Sequence, residues 1–173
     1  MKIRSYPLTS SVQILIIMGV SGSGKTTIGT LLARDLGWTF YEGDKFHSQK
    51  NIAKMARGVP LTDEDREPWL HALRQLIEKL LDTSEHAVIS CSALKQAYRD
   101  VLAAHCPRVQ FVYLKGTDSL IRERLLKRKM HFMNETLLMS QLHDLEEPGD
   151  ALTLDPALPP LSLIAQIKKK MKL

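Results

Sequence analysis

An apolar run at residues 12–17 passes through Met18 into Gly19, Val20, Ser21, Gly22, Ser23, Gly24, Lys25 and Thr26, and no other stretch constrains the chain so tightly. The spacing is GxxxxGKT, the P-loop pattern, and it has a mechanical reason. Glycines at 19, 22 and 24 permit torsions and close approaches that a Cβ forbids, so successive N–H groups turn inward on a phosphate. Lys25 is placed to reach the β- and γ-phosphates and the Thr26 hydroxyl to meet Mg²⁺, and Thr27 completes the predicted nucleotide-binding set. Apolar Ile28, Leu31, Leu32 and Leu36 predict a helix over 26–36 closed by Gly37, with its positive dipole end toward the anion. Strand, loop and helix in this order predict binding of a nucleoside triphosphate.

A chain of 173 residues is long enough for one domain with a core of its own, and a single domain over 1–173 is expected. Cys91 and Cys106 stand far apart, in no metal-spaced cluster, which suits a reducing cytosol and gives no zinc site. Lys2 and Arg4 before an apolar run mimic a signal peptide, but that run is short and cleavage there would remove the nucleotide loop. Nothing later approaches the ~20 apolar residues of a membrane span, so a cytoplasmic protein without a membrane partner is expected. The net charge of +5 invites a nucleic-acid reading. Setting aside Lys2, Arg4, Lys168, Lys169, Lys170 and Lys172 leaves 18 basic against 19 acidic residues, with no aromatic-interleaved basic stripe, so no nucleic-acid partner is expected.

Residues 38–42 predict a second strand ending at Gly43 and Asp44, and 48–57 a short helix capped by Gly58. Thr62 and Asp65 form a capping-box signature for a long helix with Trp69, Leu73, Leu76 and Leu80 on its apolar face, although Pro68 blurs its start. Residues 87–91 predict a third strand, with Ser92 capping the next helix. There Leu94, Tyr98, Val101 and Leu102 share one side and Lys95 and Arg99 another. Residues 109–114 are the fourth strand, followed by a helix from Asp118 through Leu120, Ile121 and Leu125 into the basic sequence at 122–129. The pattern breaks at 130–133, Asn134 caps a helix through 146, and a fifth strand at 152–155 precedes a terminal helix through Ile164, Ile167 and Met171. Alternating strands and helices predict an α/β fold, a five-stranded parallel sheet with helices on both faces and ligands outside the carboxyl ends of the strands.

The sequence lacks the NKxD and DxxG patterns of guanine-nucleotide switches. The third strand ends Ile89, Ser90, Cys91, Ser92 without a carboxylate, so Mg²⁺ would rely on Thr26 and on Asp44 at the end of strand two.

MGVSGSGKT at 18–26, EGDKFH at 42–47, KNIAKMARGVPLTDEDREPWL at 50–70, CSALKQAYRD at 91–100, FVYLKG at 111–116 and RKMHF at 128–132 together resemble the P-loop gluconate kinases, relatives of the shikimate and nucleoside monophosphate kinases. The chain departs from that pattern at Glu42, where the family often has Asp, and at Ser48, where it often has Pro. The resemblance implies a P-loop kinase fold and ATP- and Mg²⁺-dependent phosphorylation of D-gluconate to 6-phosphogluconate. It also implies a possible homodimer and a small lid at about 124–133. Under it, Lys25, Asp44 and Arg128 are the catalytic candidates, Asp44 accepting the proton of the primary hydroxyl and Arg128, with Arg124, neutralising phosphoryl charge from the lid. A polyhydroxy carboxylate needs cations and short polar groups, and Asp44, His47, Arg66, Lys95 and Arg99 are the substrate-binding candidates. The competing readings are a turn residue at Asp44, a solvated helix face at Lys95 and Arg99, a shikimate-type or nucleoside monophosphate kinase, and a nucleotide-dependent regulatory protein.

Overall fold

The structure, a computed structural model, describes residues 13–127 and 135–173. Its elements in chain order are β1 (Ile14–Met18), α1 (Lys25–Leu36), β2 (Thr39–Glu42), a 3₁₀ turn (Gly43–Phe46), α2 (Gln49–Ala56), α3 (Asp63–Asp82), β3 (Ala87–Ser90), α4 (Gln96–Ala103), β4 (Val109–Leu114), α5 (Asp118–Leu126), α6 (Glu135–Asp144), β5 (Leu152–Leu154) and α7 (Pro160–Met171). The five strands form one parallel sheet in the order β2-β3-β1-β4-β5.

β1 is central because it is apolar at every position and pairs on both sides, Ile14 lying level with Ala87 of β3 and Val109 of β4. Its alternate residues feed two cores. Ile14, Ile16 and Met18 pack with Trp69, Leu73, Ile77 and Leu80 of α3 and Leu102 of α4. Leu15 and Ile17 pack with Ile28 and Leu32 of α1 and Leu163, Ile164 and Ile167 of α7. Each of these side chains contributes roughly 1.5–3 kcal/mol by leaving water, so a strand buried on both faces is the natural centre of the fold.

Local chemistry sets the helix ends. Gly24 and Gly37 bound α1 in left-handed conformations, at φ 101° and 68°. At α3 the Thr62 hydroxyl accepts from the Asp65 amide while the Asp65 carboxylate accepts from the Thr62 amide, and this reciprocal cap starts the helix ahead of Pro68, which lies inside it.

The expected helix cap at Ser92 is not formed. α4 starts at Gln96, and residues 91–95 run outside helix, with Ala93 in the left-handed region at φ 44°. Their carbonyls are spent elsewhere: Ser92 O accepts from Gly19 N–H, Leu94 O from Glu146 N–H, and both Ala93 O and Leu94 O from the Arg99 guanidinium. Of the four residues expected to share one side, Leu94, Tyr98 and Leu102 are buried and Val101 is exposed at 38%. Residues 124–126 still belong to α5, with Lys127 as its C-cap. The rest of the expected lid, including Arg128, and the Asn134 cap lie outside the described residues.

Candidate active site

The loops after β1, β2 and β3 open on one side of the sheet and bound a cleft of about 360 Å³ whose lining includes Ser21, Lys25, Asp44, His47, Arg66 and Trp69. The P-loop forms one edge. Gly19, Gly22 and Gly24 have φ of 137°, 85° and 101°, and a Cβ on Gly19 would stand 2.9 Å from the Leu114 carbonyl oxygen. Lys25 Nζ lies 3.1 Å from the Val20 carbonyl, its place at the mouth of the loop. A second cavity of about 290 Å³ lies against Gly22, Ser23, Gly24 and Thr27 and is also lined by Arg124 and Pro156. Arg124 donates to Ser23 O at 3.3 Å and Pro156 O at 2.5 Å, tying α5 to the P-loop. The loop therefore contributes to two cavities, one holding Asp44 and Arg66 and the other Arg124.

Asp44 is exposed to the cleft on a turn pressed hard against β3. A Cβ on Gly43 would fall 2.2 Å from Ser90 O, so only glycine lets the chain pass there. Gly43 N–H donates to Ser90 Oγ at 3.4 Å, Ser90 Oγ–H donates to the Glu42 carboxylate, and Trp69 Nε1–H donates to Gly43 O at 2.8 Å. Glu42 is thereby committed to β3. His47 stacks on Trp69 with ring centroids 4.4 Å apart and planes 15° apart. Burial lowers the His47 imidazole pKa below its ordinary value; Asp44 opposes that shift and Arg66 adds to it.

Arg66 is 8% exposed and donates through Nη1 to Asp144 Oδ2 at 3.0 Å and to the Tyr98 hydroxyl at 3.1 Å. Tyr98 in turn donates to Asp63, which also accepts from Lys95 Nζ at 2.7 and 2.9 Å. These bonds hold the Asp63 carboxyl below the usual carboxylate range and raise the Lys95 ammonium pKa.

Asp44, His47 and Arg66 are thus brought together beside Lys25, whereas Lys95 and Arg99 are not among the residues lining that cleft. Lys95 is committed to Asp63 at the outer edge. Arg99 is 2% exposed and braces the 91–95 turn through the Ala93 and Leu94 carbonyls and Gln96 Oε1, a role that four-residue spacing on a presumed helix face does not reveal. Cys91 is buried, and burial pushes its thiol up to about 12. The cleft also takes in residues that the sequence reading passed over, Lys45 on the turn and Leu137, Ser140 and Gln141 of α6. Gln141 Oε1 accepts from the Ser21 amide at 2.7 Å across 120 residues of chain, a pairing with no local sequence signal.

The described residues contain no cluster of three or more His, Cys, Asp or Glu placed to hold a metal ion, and no helix among them is long and apolar enough to cross a membrane. The Asp44 carboxylate lines the cleft beside Lys25, and the Thr26 hydroxyl, exposed in the first turn of α1, lines neither cavity; both are hard oxygen donors, the type that suits Mg²⁺.

The shikimate kinase family profile matches residues 21–147. The thermoresistant gluconokinase of Escherichia coli K12 is 44% identical over 146 residues, covering 82% of this chain and 83% of that protein. Among solved structures, a sugar kinase from Janibacter sp. HTCC2649 superposes with a TM-score of 0.86 at 46% identity, covering 93% of this chain and 95% of its own. A gluconokinase from Sinorhizobium meliloti 1021 gives 0.82 at 40% identity, covering 94% and 93%.

Proposed function

The chain belongs to the gluconokinases of the shikimate kinase family, P-loop kinases, and from that premise we propose that it transfers the terminal phosphoryl group of ATP to the primary hydroxyl of D-gluconate. The observation that carries this reading is the shared cleft in which Asp44 and Arg66 face the P-loop lysine, Lys25.

Each group has a task that its surroundings suit. Arg66 is held by Asp144 and Tyr98 with its guanidinium at the cleft, a cation pre-positioned for the gluconate carboxylate. Asp44 accepts the proton of the attacking hydroxyl, and the Gly43–Ser90–Trp69 contacts fix the turn that carries it. His47, kept neutral by burial and stacked on Trp69, offers a ring nitrogen to a substrate hydroxyl. Lys25 and the P-loop amides neutralise charge on the transferring phosphoryl, and Arg124 closes the nucleoside side. Thr26 and Asp44 would hold Mg²⁺, which when bound draws charge from the β- and γ-phosphate oxygens. Consumption of ATP and two free, buried cysteines support a cytoplasmic location.

ADP release from ATP and Mg²⁺, measured with gluconate, shikimate and AMP in turn, tests the assignment. It should rise at least about tenfold with gluconate over the other two. Equal rates with all three would remove gluconate as the acceptor.

A further inference from the structure

Between the turn after β2 and the start of α3, the chain gives the cleft a wall of one chemical kind. Only Ile52 and Met55 of α2 and Pro60 and Leu61 of the loop after it line the cleft from this stretch, and none of the four has a side-chain hydrogen-bond donor. The charged lining, which includes Lys25, Asp44 and Arg66, comes from other elements. Ile52 and Met55 are half-buried, Leu61 is buried, and none of the three belongs to the apolar clusters that form the core of the described residues. Their apolar surface serves the cleft and not the packing of the sheet.

α2 is also fixed in place from behind. Asn51 Nδ2 donates to Asp65 O at 2.6 Å, and Lys54 Nζ pairs with the Asp65 carboxylate at the cap of α3. Asn51 and Lys54 stand three apart, as do Ile52 and Met55, so the tied row and the cleft-lining row run side by side on the helix. The Ser48 hydroxyl accepts from the Asn51 amide at 3.2 Å and closes the first turn. A wall braced in this way resists moving aside to admit water behind a bound molecule.

At each middle carbon of a polyhydroxy acid, inversion exchanges a hydrogen for a hydroxyl on a given side of the carbon chain. A hydrogen set against Ile52 or Met55 loses nothing, whereas a hydroxyl turned there sheds its water and gains no donor. We propose that Ile52 and Met55 are specificity-determining residues, which reject acids whose configuration turns a hydroxyl toward α2. The inference deepens the gluconate reading and rests on it.

The test is kcat/KM on the full chain for D-gluconate, for its epimers at carbons 2, 3 and 4, and for the acids deoxygenated at those carbons. A deoxy acid loses only the hydroxyl of the original side, while the epimer loses it and also sets one on the opposite side, so their ratio isolates the wall. In the wild type the deoxy acid should exceed the epimer at least about tenfold at one carbon or more. Met55→Gln and Ile52→Thr stay close in size and bring a hydrogen-bonding group to the wall. In at least one of them that ratio should fall within about threefold, while affinity for ADP stays within about twofold. Met55→Leu keeps the wall apolar and should keep the ratio. No gap in the wild type, which needs no variant to be seen, would overturn the proposal. An undiminished gap in both polar variants, or an equal loss on every acid, would reduce Ile52 and Met55 to packing residues and overturn it too. A wild type that turns over none of these acids would remove the gluconate reading and this inference with it, whereas turnover of gluconate without a gap would remove the inference alone.

Discussion

The indole nitrogen of Trp69 donates to the carbonyl of Gly43 at 2.8 Å, so a residue buried in the α3 core also fixes the turn that presents Asp44. One side chain thus links the packing of the sheet to the placement of the proposed base. Trp69→Phe keeps most of the apolar contact but leaves a buried carbonyl unpaired, at a cost of about 1–3 kcal/mol. Urea denaturation should show that loss, and kcat should fall more than the affinity for ADP.

Asp44→Asn conserves size and removes the proton acceptor. Turnover should fall roughly 10²–10⁴-fold with ATP affinity changed only a few-fold and the fold intact, since the carboxylate is exposed to the cleft and packs no core. Near-normal gluconate turnover in the folded variant would return Asp44 to a turn residue. Neither Glu42 nor Asp65 is an easy substitute. Glu42 is bonded to Ser90, and Asp65 is held by Lys54 and the Thr62 amide, with its pKa lowered to about 2.

Gly43→Ala should be among the most damaging small changes available. The new Cβ would meet Ser90 O at 2.2 Å, and a backbone oxygen cannot retreat without parting β2 from β3. A loss of about 3 kcal/mol or more is expected by chemical denaturation. Gly149→Ala, where a Cβ meets nothing within 4 Å, is the control and should stay within about 0.5 kcal/mol.

His47 predicts a pH dependence of definite sign. Its pKa is lower in the folded protein than the ordinary 6.5, so the unfolded chain binds the proton first as pH falls. The stability held by neutral His47 is complete above pH 6.5 and is lost as pH drops from there through the folded-state pKa. His47→Gln should be less stable near neutrality, where the stack on Trp69 is lost, yet show a shallower decline of unfolding free energy below pH 6.5. Parallel declines for both proteins would contradict the burial argument.

The nucleotide loop, the parallel α/β architecture and most element boundaries were legible in the sequence because each rests on interactions within a few residues. Gly24 and Gly37 at the ends of α1, the Thr62–Asp65 cap of α3 and the continuous apolar runs of β1 and β4 are local facts that leave local marks. Asp44, His47 and Arg66 were also reachable, since residues at strand ends and in early helix turns face one side of a parallel sheet. Tertiary contacts decided the rest. Ser92 has the chemistry of a helix cap, but its carbonyl is taken by Gly19 and the neighbouring carbonyls by Arg99 and Glu146, so α4 starts later and Arg99 turns inward. Lys95 was drawn outward by Asp63, 32 positions away, and Gln141 was brought to Ser21 across 120. A hydrogen bond satisfies a buried polar group whatever the sequence distance between its partners, so which donor meets which acceptor is settled only when the elements pack.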